Sequence, residues 1–268
     1  KKEALQKHLE DFKVRIVLTA HPTQFYPGEV LGIITDLDNA IQNNNLLLIK
    51  DLLSQLGKTP FFKKQKPTPY DEAVSLIWYL ENVFYHSVSK IHNYIETNIF
   101  DGEKVDNQII DLGFWPGGDR DGNPFVTTQI TLDVAERLRQ SILRNYYRDL
   151  RKLKRKITFD EVDQRINDLE TTLYHTLFEP EKVKQIDSVF VITELMQIEQ
   201  ILKNRHQSLY LNEIVDLRNK VKLFGFHFAS LDIRQDSRIH NQVFEAIVSH
   251  PKIQEYTSGL PENYLALS

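Results

Sequence analysis

Residues able to carry chemistry concentrate in three short polar stretches of the sequence. The first, TAHPTQ at 19–24, contains His21, whose imidazole can take up and release protons near neutral pH. The second, GFWPGGDRDGNP at 113–124, has four glycines, two prolines and Arg120 between two aspartates. The third, LDIRQDS at 231–237, presents Arg234 and Gln235, a pair suited to clamping a phosphate or carboxylate. These stretches indicate proton transfer and anion binding.

The second stretch could instead bind calcium, because Asp119, Asp121 and Asn123 stand at positions one, three and five of an EF-hand count. That interpretation fails, since position six needs Gly and holds Pro124, and position twelve needs Glu and holds Ile130. No Gly-Lys-Ser/Thr follows, which excludes a P-loop. On spacing alone, a functional arginine and an arginine that only pins the loop through its two aspartates remain equally open.

Each polar stretch follows a short apolar segment typical of a buried strand, at 14–20, 109–115 and 226–233. Within the third segment, His227 lies between two phenylalanines, so we expect it to be structural. Parallel strands separated by helices bring their carboxyl ends to one edge, where barrel enzymes place their chemistry. A barrel needs eight strands, however, and three cannot close one. For the third stretch, an ion-paired helix start at Ser237 is a competing interpretation.

Helices dominate the rest of the chain, since apolar residues recur at intervals of three and four. The segment 57–69, with three prolines and a lysine run, breaks this pattern and predicts a mobile loop. The predicted helices are 71–99, one from Thr128 or Thr131 to 156, 159–178, 188–204, 211–223, and one that begins at Ser237. The first carries a predicted core stripe rich in aromatic residues: Leu76, Tyr79, Leu80, Val83, Phe84, Val88, Ile91 and Ile95.

Composition narrows the function classes. The chain has 33 basic and 37 acidic residues, a net charge of −4, which argues against nucleic acid as the main partner. It contains no cysteine, so thiol nucleophiles and cysteine metal sites are excluded. Charges interrupt every apolar stretch short of a membrane span, and the first residues lack the apolar region of a signal peptide. We therefore expect a cytoplasmic protein without membrane contacts.

Taken together and in this order, the three motifs resemble those of phosphoenolpyruvate carboxylase. The likeness runs across nearly the whole chain, and YLENVFY at 79–85 is similar to a helix of some bacterial members. Family enzymes are several times longer, so the resemblance implies the amino-terminal part of their catalytic region. The expected fold class is mainly α: a helix-rich fragment of a (β/α)8 TIM-type barrel with about three short parallel strands. Residues 1–268 are expected to form one incomplete partial-barrel domain.

The resemblance implies a lyase that carboxylates phosphoenolpyruvate with bicarbonate, giving oxaloacetate and phosphate through carboxyphosphate and an enolate. It assigns His21 to take the proton from carboxyphosphate and Arg234 to bind phosphate. Trp115 would form an apolar wall, and Arg120 would organise its loop or contact an anion. With Gln235, these are the expected substrate contacts.

The resemblance also implies Mg²⁺ as cofactor, with its ligands in the later part of the family sequence, and a homotetramer for the full-length protein. No metal ligand is assigned in this chain. By itself, we expect the fragment to show little or no turnover. A different class of function remains open: a noncatalytic helical module that binds an anion or a protein partner.

Overall fold

The computed structural model describes residues 2–19, 26–61, 67–101, 109–120, 123–179, 181 and 186–251. Within these ranges the chain is mainly helical, as predicted, with three short strands. In chain order the elements are α1 Lys2–Asp11, β1 Val14–Leu18, α2 Gly28–Gln42, α3 Leu46–Lys58, α4 Pro69–Tyr79, a π-helical turn at Leu80–Phe84, α5 Tyr85–Asn98, β2 Ile110–Phe114, α6 Thr128–Lys156, α7 Asp163–Phe178, α8 Ser188–Arg205, α9 Leu211–Phe224, β3 Ser230–Leu231 and α10 Ser237–Val248.

The three strands form one parallel sheet in the order β1-β2-β3. Val14 pairs with Ile110 and Leu18 with Phe114, so β1 and β2 are in register along their whole length. Between β2 and β3, Gly113 pairs with Ser230. The three parallel strands are therefore confirmed. They form an open sheet, and the closed TIM-type barrel stays a prediction for the whole protein.

The two faces of the sheet differ in chemistry because side chains alternate along each strand. One face carries Leu18, Leu112 and Phe114, which are buried in the main hydrophobic core together with residues of α4 to α9. The other carries charged side chains, described below. A smaller core joins α2 to α3 through buried residues such as Ile33 and Leu52. The apolar face holds the sheet on the helices and so fixes its carboxyl edge relative to α6.

Local sequence signals explain where several helices begin. The Thr68 hydroxyl and the Asp71 carboxylate form a capping box at the start of α4, whose first residue is Pro69. Thr127 accepts a hydrogen bond from the Ile130 N–H and caps α6.

Among the described residues, every helix falls short of the length and apolar character that crossing a membrane requires.

The predicted single helix over 71–99 is interrupted by the π-helical turn. The turn adds one residue between Leu80, where it begins, and Tyr85, so the buried positions run from Ile77 and Leu80 to Tyr85 and Val88. Val83, predicted to lie in the core stripe, is exposed, and two other stripe residues, Tyr79 and Ile91, are exposed as well. A uniform helical period could not predict this change of phase.

The third strand is much shorter than predicted. Residues 226–229 are irregular, and His227 is exposed rather than enclosed in a strand. In the segment 57–69, expected to be irregular, α3 includes the first two residues, Gly57 and Lys58, and α4 begins at the last, Pro69. Residues 62–66 of that segment lie outside the described part of the chain, so its mobility stays a prediction. The same holds for the single-domain expectation over 1–268.

Candidate active site

The loops that follow β2 and β3 remain hydrogen-bonded to each other beyond the ends of the strands. The Arg234 N–H donates to the Gly118 carbonyl at 3.1 Å, and the Arg120 N–H donates to the Arg234 carbonyl at 2.9 Å. On the other side, the Trp115 N–H donates to the Leu18 carbonyl of β1 at 3.0 Å. The predicted stretches after β2 and β3 therefore meet at one edge of the sheet.

Two glycines make this close approach possible. A Cβ atom on Gly118 would lie 2.3 Å from the backbone oxygen of Asp232, a distance that no side chain can occupy. Gly117 has φ +81°, in the left-handed region, and a Cβ there would lie 2.6 Å from Cγ2 of Val134 in α6. Gly117 and Gly118 thus permit the close contact of the loop with α6 and with the residue that follows β3.

Arg234 is held by two side chains of the loop after β2. Its guanidinium carbon lies 4.7 Å from the ring centre of Trp115, and its Nη1 atom is 3.2 Å from Oδ2 of Asp119. The side chain is 45% exposed. A cation stacked on an indole and tethered by one carboxylate has a defined pose but keeps access to solvent, which suits an anion-binding group.

Arg120 contacts hydroxyl groups at the start of α6. Its Nη2 atom donates to the Thr131 hydroxyl at 3.0 Å and lies 3.4 Å from that of Thr128. The Thr131 hydroxyl in turn donates to the Gly117 carbonyl at 2.7 Å. Nε of Arg120 is buried and has no hydrogen-bond partner in the described part of the chain. These contacts join the loop to α6 through the arginine.

Gln235 makes a local contact: its side-chain oxygen accepts a hydrogen bond from the Asp236 N–H at 2.9 Å. Asp236 caps α10 and pairs with Arg238, as the ion-paired helix start predicts. Hydrogen bonds from the Arg238 side chain and backbone lower the pKa of Asp236 below its ordinary value. The expected contact of Gln235 with substrate stays a prediction.

His21 lies outside the described residues, as do Asp121 and Gly122 of the second stretch. In sequence, His21 follows the last residue of β1, Leu18, by three positions. The described edge therefore contains Trp115, Arg120, Arg234 and Gln235 of the predicted site, and the position of His21 remains a prediction.

The charged face of the sheet was missed by the sequence analysis. Arg15 of β1 forms an ion pair with Asp232, two positions before Arg234, and its Nη1 atom lies 3.8 Å from Oδ2 of Asp111 in β2. The side chains of Arg15, Asp111 and Asp232 are partly exposed. The sequence shows a charged residue in each of the three apolar segments, but which of them share a face depends on the register of the strands.

A second ionic cluster was also missed and lies away from this edge, between α5, α6 and α9. The buried Lys220 ammonium lies 3.1 Å from Oδ2 of Asp149, 2.7 Å from Oδ2 of Asp216 and 4.7 Å from the ring centre of Tyr85. A cavity of about 330 Å³ opens beside it. Burial, reinforced by Asp149, raises the pKa of Tyr85 well above its ordinary value. Because the charges are paired, the cluster is structural.

Magnesium would need several oxygen ligands, mainly carboxylates. Within the described ranges, no group of three histidine, aspartate or glutamate side chains is arranged to hold a metal ion. Near the edge of the sheet, Asp111 and Asp232 face Arg15, while Asp119 faces Arg234. The described residues thus do not fit a magnesium site.

Comparison with known proteins gives consistent results. A model of the family described as phosphoenolpyruvate carboxylase matches residues 1–190 and 176–266. The phosphoenolpyruvate carboxylase of Aeromonas salmonicida (strain A449) is 26% identical over 296 aligned positions, covering 95% of this chain and 34% of that protein. Those of Vibrio parahaemolyticus and Shewanella oneidensis are each 24% identical, covering 96% and 90% of this chain and 34% and 32% of the relatives. The chain spans about a third of the length of these relatives.

Proposed function

Because this chain belongs to the phosphoenolpyruvate carboxylase family, we propose that it acts within a longer protein that carboxylates phosphoenolpyruvate. Bicarbonate is the second substrate, and oxaloacetate and phosphate are the products. The observation that carries the proposal is the meeting of the 113–124 and 231–237 stretches at the carboxyl edge of a parallel sheet, in a chain that the family model matches from residue 1 to 266. This edge is where parallel-sheet enzymes place their chemistry.

The chemical problem is to bring two anions together. A bicarbonate oxygen attacks the phosphorus of phosphoenolpyruvate, the bond from phosphorus to the enol oxygen breaks, and carboxyphosphate and the enolate of pyruvate form. We assign phosphate binding to Arg234, whose planar guanidinium suits phosphate oxygens. Its stacking on Trp115 and its contact with Asp119 support this role because they fix its orientation before substrate arrives.

The second step needs a base. We assign to His21 the removal of the remaining proton of carboxyphosphate, after which the carbon–oxygen bond to phosphate breaks and releases carbon dioxide and phosphate. The methylene carbon of the enolate then attacks carbon dioxide, forming the new carbon–carbon bond of oxaloacetate. The place of His21 shortly after β1 supports this role, since β1 lies beside the strand that leads to Trp115.

Two residues of the loop after β2 serve the same site. Trp115 limits water near the enolate, which would otherwise be protonated to pyruvate. For Arg120, the hydrogen bond to Thr131 supports the role of loop organiser, because it joins the loop to the first turn of α6. Gln235 would supplement Arg234 at the phosphate or carboxylate. We expect the whole protein to require Mg²⁺, with ligands outside the described residues.

The test is an assay of the whole protein for bicarbonate-dependent oxaloacetate formation. A His21→Asn variant should lose carboxylation while retaining part of the phosphoenolpyruvate hydrolysis, because phosphoryl transfer precedes the histidine step. Equal loss of both activities would contradict that order. If the unaltered protein forms no more oxaloacetate than the His21→Asn variant, the proposed function is wrong.

Calorimetry distinguishes the alternative class, a noncatalytic anion-binding or interaction module. Titration of phosphoenolpyruvate into this chain and into the whole protein, with and without Mg²⁺, distinguishes an enzyme from such a module. An enzyme should bind with metal dependence in the whole protein, and this chain alone should show no turnover. Metal-independent binding by the whole protein, without product formation, would favour the module.

A further inference from the structure

The Arg15–Asp232 ion pair joins two strands that are not neighbours. Arg15 belongs to β1, and Asp232 directly follows β3, while β2 lies between them. The side chains therefore span two strand spacings, about 9.6 Å at about 4.8 Å each. The backbone N–H of Asp232 meanwhile donates to the Phe114 carbonyl of β2 at 2.9 Å. Asp232 is thus tied to β2 by its backbone and to β1 by its side chain.

Gly113 of β2 leaves the space through which this pair passes. A Cβ atom on Gly113 would lie 3.0 Å from Nε of Arg15 and 3.1 Å from Oδ2 of Asp232. Both contacts are tighter than ordinary van der Waals separation, so a side chain at this position requires Arg15 and Asp232 to shift by a few tenths of an ångström. The ion pair therefore depends on the absence of a side chain at Gly113 in the central strand.

We propose that the Arg15–Asp232 pair positions the two catalytic strand ends relative to each other. This inference rests on the proposed function. Arg15 stands three residues before Leu18, which His21 follows, and Asp232 stands two residues before Arg234. A fixed distance between β1 and β3 therefore fixes Leu18, from which the chain continues toward the base, relative to the phosphate-binding arginine. Arg15 and Asp232 are positioning residues, since neither is assigned a contact with substrate.

The exposure of the pair supports a geometric role over a stabilising one. The side chains of Arg15 and Asp232 are 44% and 28% exposed, and ion pairs with this access to water contribute little to folding stability. The attraction between Arg15 and Asp232 across β2 nevertheless limits the sideways movement of β1 relative to β3. Asp111 adds a weaker contact to Arg15 from the middle strand at 3.8 Å.

Misplacement of the two strand ends should change which product forms. Carboxyphosphate and the enolate form first, near Arg234, and carbon dioxide is released only when His21 removes the proton. If that step is delayed, the enolate takes a proton and leaves as pyruvate, while carboxyphosphate decomposes to bicarbonate or carbon dioxide and phosphate. The ratio of pyruvate to oxaloacetate therefore reports the alignment. Loss of folded protein lowers both products equally and leaves the ratio unchanged.

Two variants of the whole protein test the proposal by different means. Asp232→Asn removes the charge with little change of volume, and Gly113→Ala displaces the two side chains of the pair without changing any charge. Matched controls are Gly32→Ala, where a Cβ meets nothing within 4 Å, and Glu213→Gln on α9, which removes the exposed ion pair to Lys156 of α6. Oxaloacetate, pyruvate and phosphate are measured in the same reactions with saturating bicarbonate.

We expect both variants to raise the pyruvate-to-oxaloacetate ratio about ten-fold, below the roughly 100-fold that a 1 Å misplacement can cost. The controls should keep the ratio of the unaltered protein. If the unaltered protein forms oxaloacetate and both variants keep its ratio, the positioning role is wrong and the proposed function stands. If the unaltered protein forms no oxaloacetate, the proposed function fails and the positioning role fails with it.

Discussion

The guanidinium of Arg234 lies over the indole ring of Trp115, with 4.7 Å between its Cζ atom and the ring centre. The two residues are far apart in sequence and meet because the backbone of the 231–237 stretch continues the hydrogen bonding of β2. The contact places the expected phosphate-binding group and the expected apolar wall of the site against each other. Several consequences of this edge can be measured.

Replacing Trp115 by leucine should weaken phosphoenolpyruvate binding by the whole protein. A partly exposed cation–π contact contributes about 0.5–1 kcal/mol, so we expect the KM for phosphoenolpyruvate to rise roughly two- to five-fold. Trp115→Tyr should retain most of the affinity because it keeps an aromatic face. Trp78→Leu, at the exposed tryptophan of α4, is the matched control and should leave KM unchanged. A KM unaffected by Trp115→Leu would contradict the role of the stacking.

Replacing Thr131 by valine should loosen the loop after β2. The change removes the acceptor for Arg120 and the donor to the Gly117 carbonyl, so we expect a loss of about 1–2 kcal/mol in the free energy of unfolding. Thr131→Ser keeps the hydroxyl and should restore most of it. Thr172→Val, whose hydroxyl bonds only within α7 at an exposed position, serves as the control in urea denaturation. Equal losses in the two valine variants would contradict the role of Thr131.

Replacing Gly118 by alanine should be severe, since the new Cβ would meet the backbone oxygen of Asp232 at 2.3 Å, and backbone cannot move aside as a side chain can. We expect a loss of roughly 2–3 kcal/mol in unfolding free energy, measured by thermal or urea unfolding. The opposite sign is expected for Gly32→Ala, within α2, where alanine should stabilise the helix by up to about 1 kcal/mol. A neutral Gly118→Ala would mean that the loop and β3 are not in this close contact.

Asp149 should stabilise the fold through Lys220. Burial by itself would raise the pKa of Asp149, but the Lys220 charge and hydrogen bonds from Tyr85 and Lys220 hold it below the ordinary value. A carboxyl with a lowered pKa in the folded state contributes stability at neutral pH and loses it as pH falls below about 4. Asp149→Asn should therefore cost about 2 kcal/mol at pH 7, since Asp216 still compensates Lys220.

The pH dependence gives the check on Asp149. Unfolding free energies of the unaltered protein and of Asp149→Asn should converge as the pH is lowered from 5 to 3, because the protonated carboxyl no longer attracts Lys220. The exposed Asp160→Asn variant should keep the unaltered profile. A constant difference between the unaltered protein and Asp149→Asn over that range would contradict the ionic role.

The local elements and the residues that can carry chemistry were predictable from the pattern of residues along the chain. Short β-branched and aromatic segments predicted the bounds of β1 and β2 closely, because such residues favour strands, although Val14 and Ile16 of β1, expected to be buried, are exposed. Apolar spacing predicted the bounds of α6, α8 and α9 to within a few residues. The placement of polar stretches after strands was enough to predict that Trp115, Arg120 and Arg234 lie at one edge of a sheet.

Which side chains hold that edge together depends on contacts between residues that are distant in the chain. Arg15 and Asp232 are 217 residues apart, and their pairing depends on the register of three strands and on the empty position at Gly113. Thr131 contacts Arg120 because α6 packs beside the loop, a placement that its own sequence does not specify. The π-helical turn is likewise absent from the apolar spacing and is defined by the hydrogen bond from the Tyr85 N–H to the Leu80 carbonyl. Local patterns report which face of an element is buried, whereas partners distant in the chain follow from register and packing.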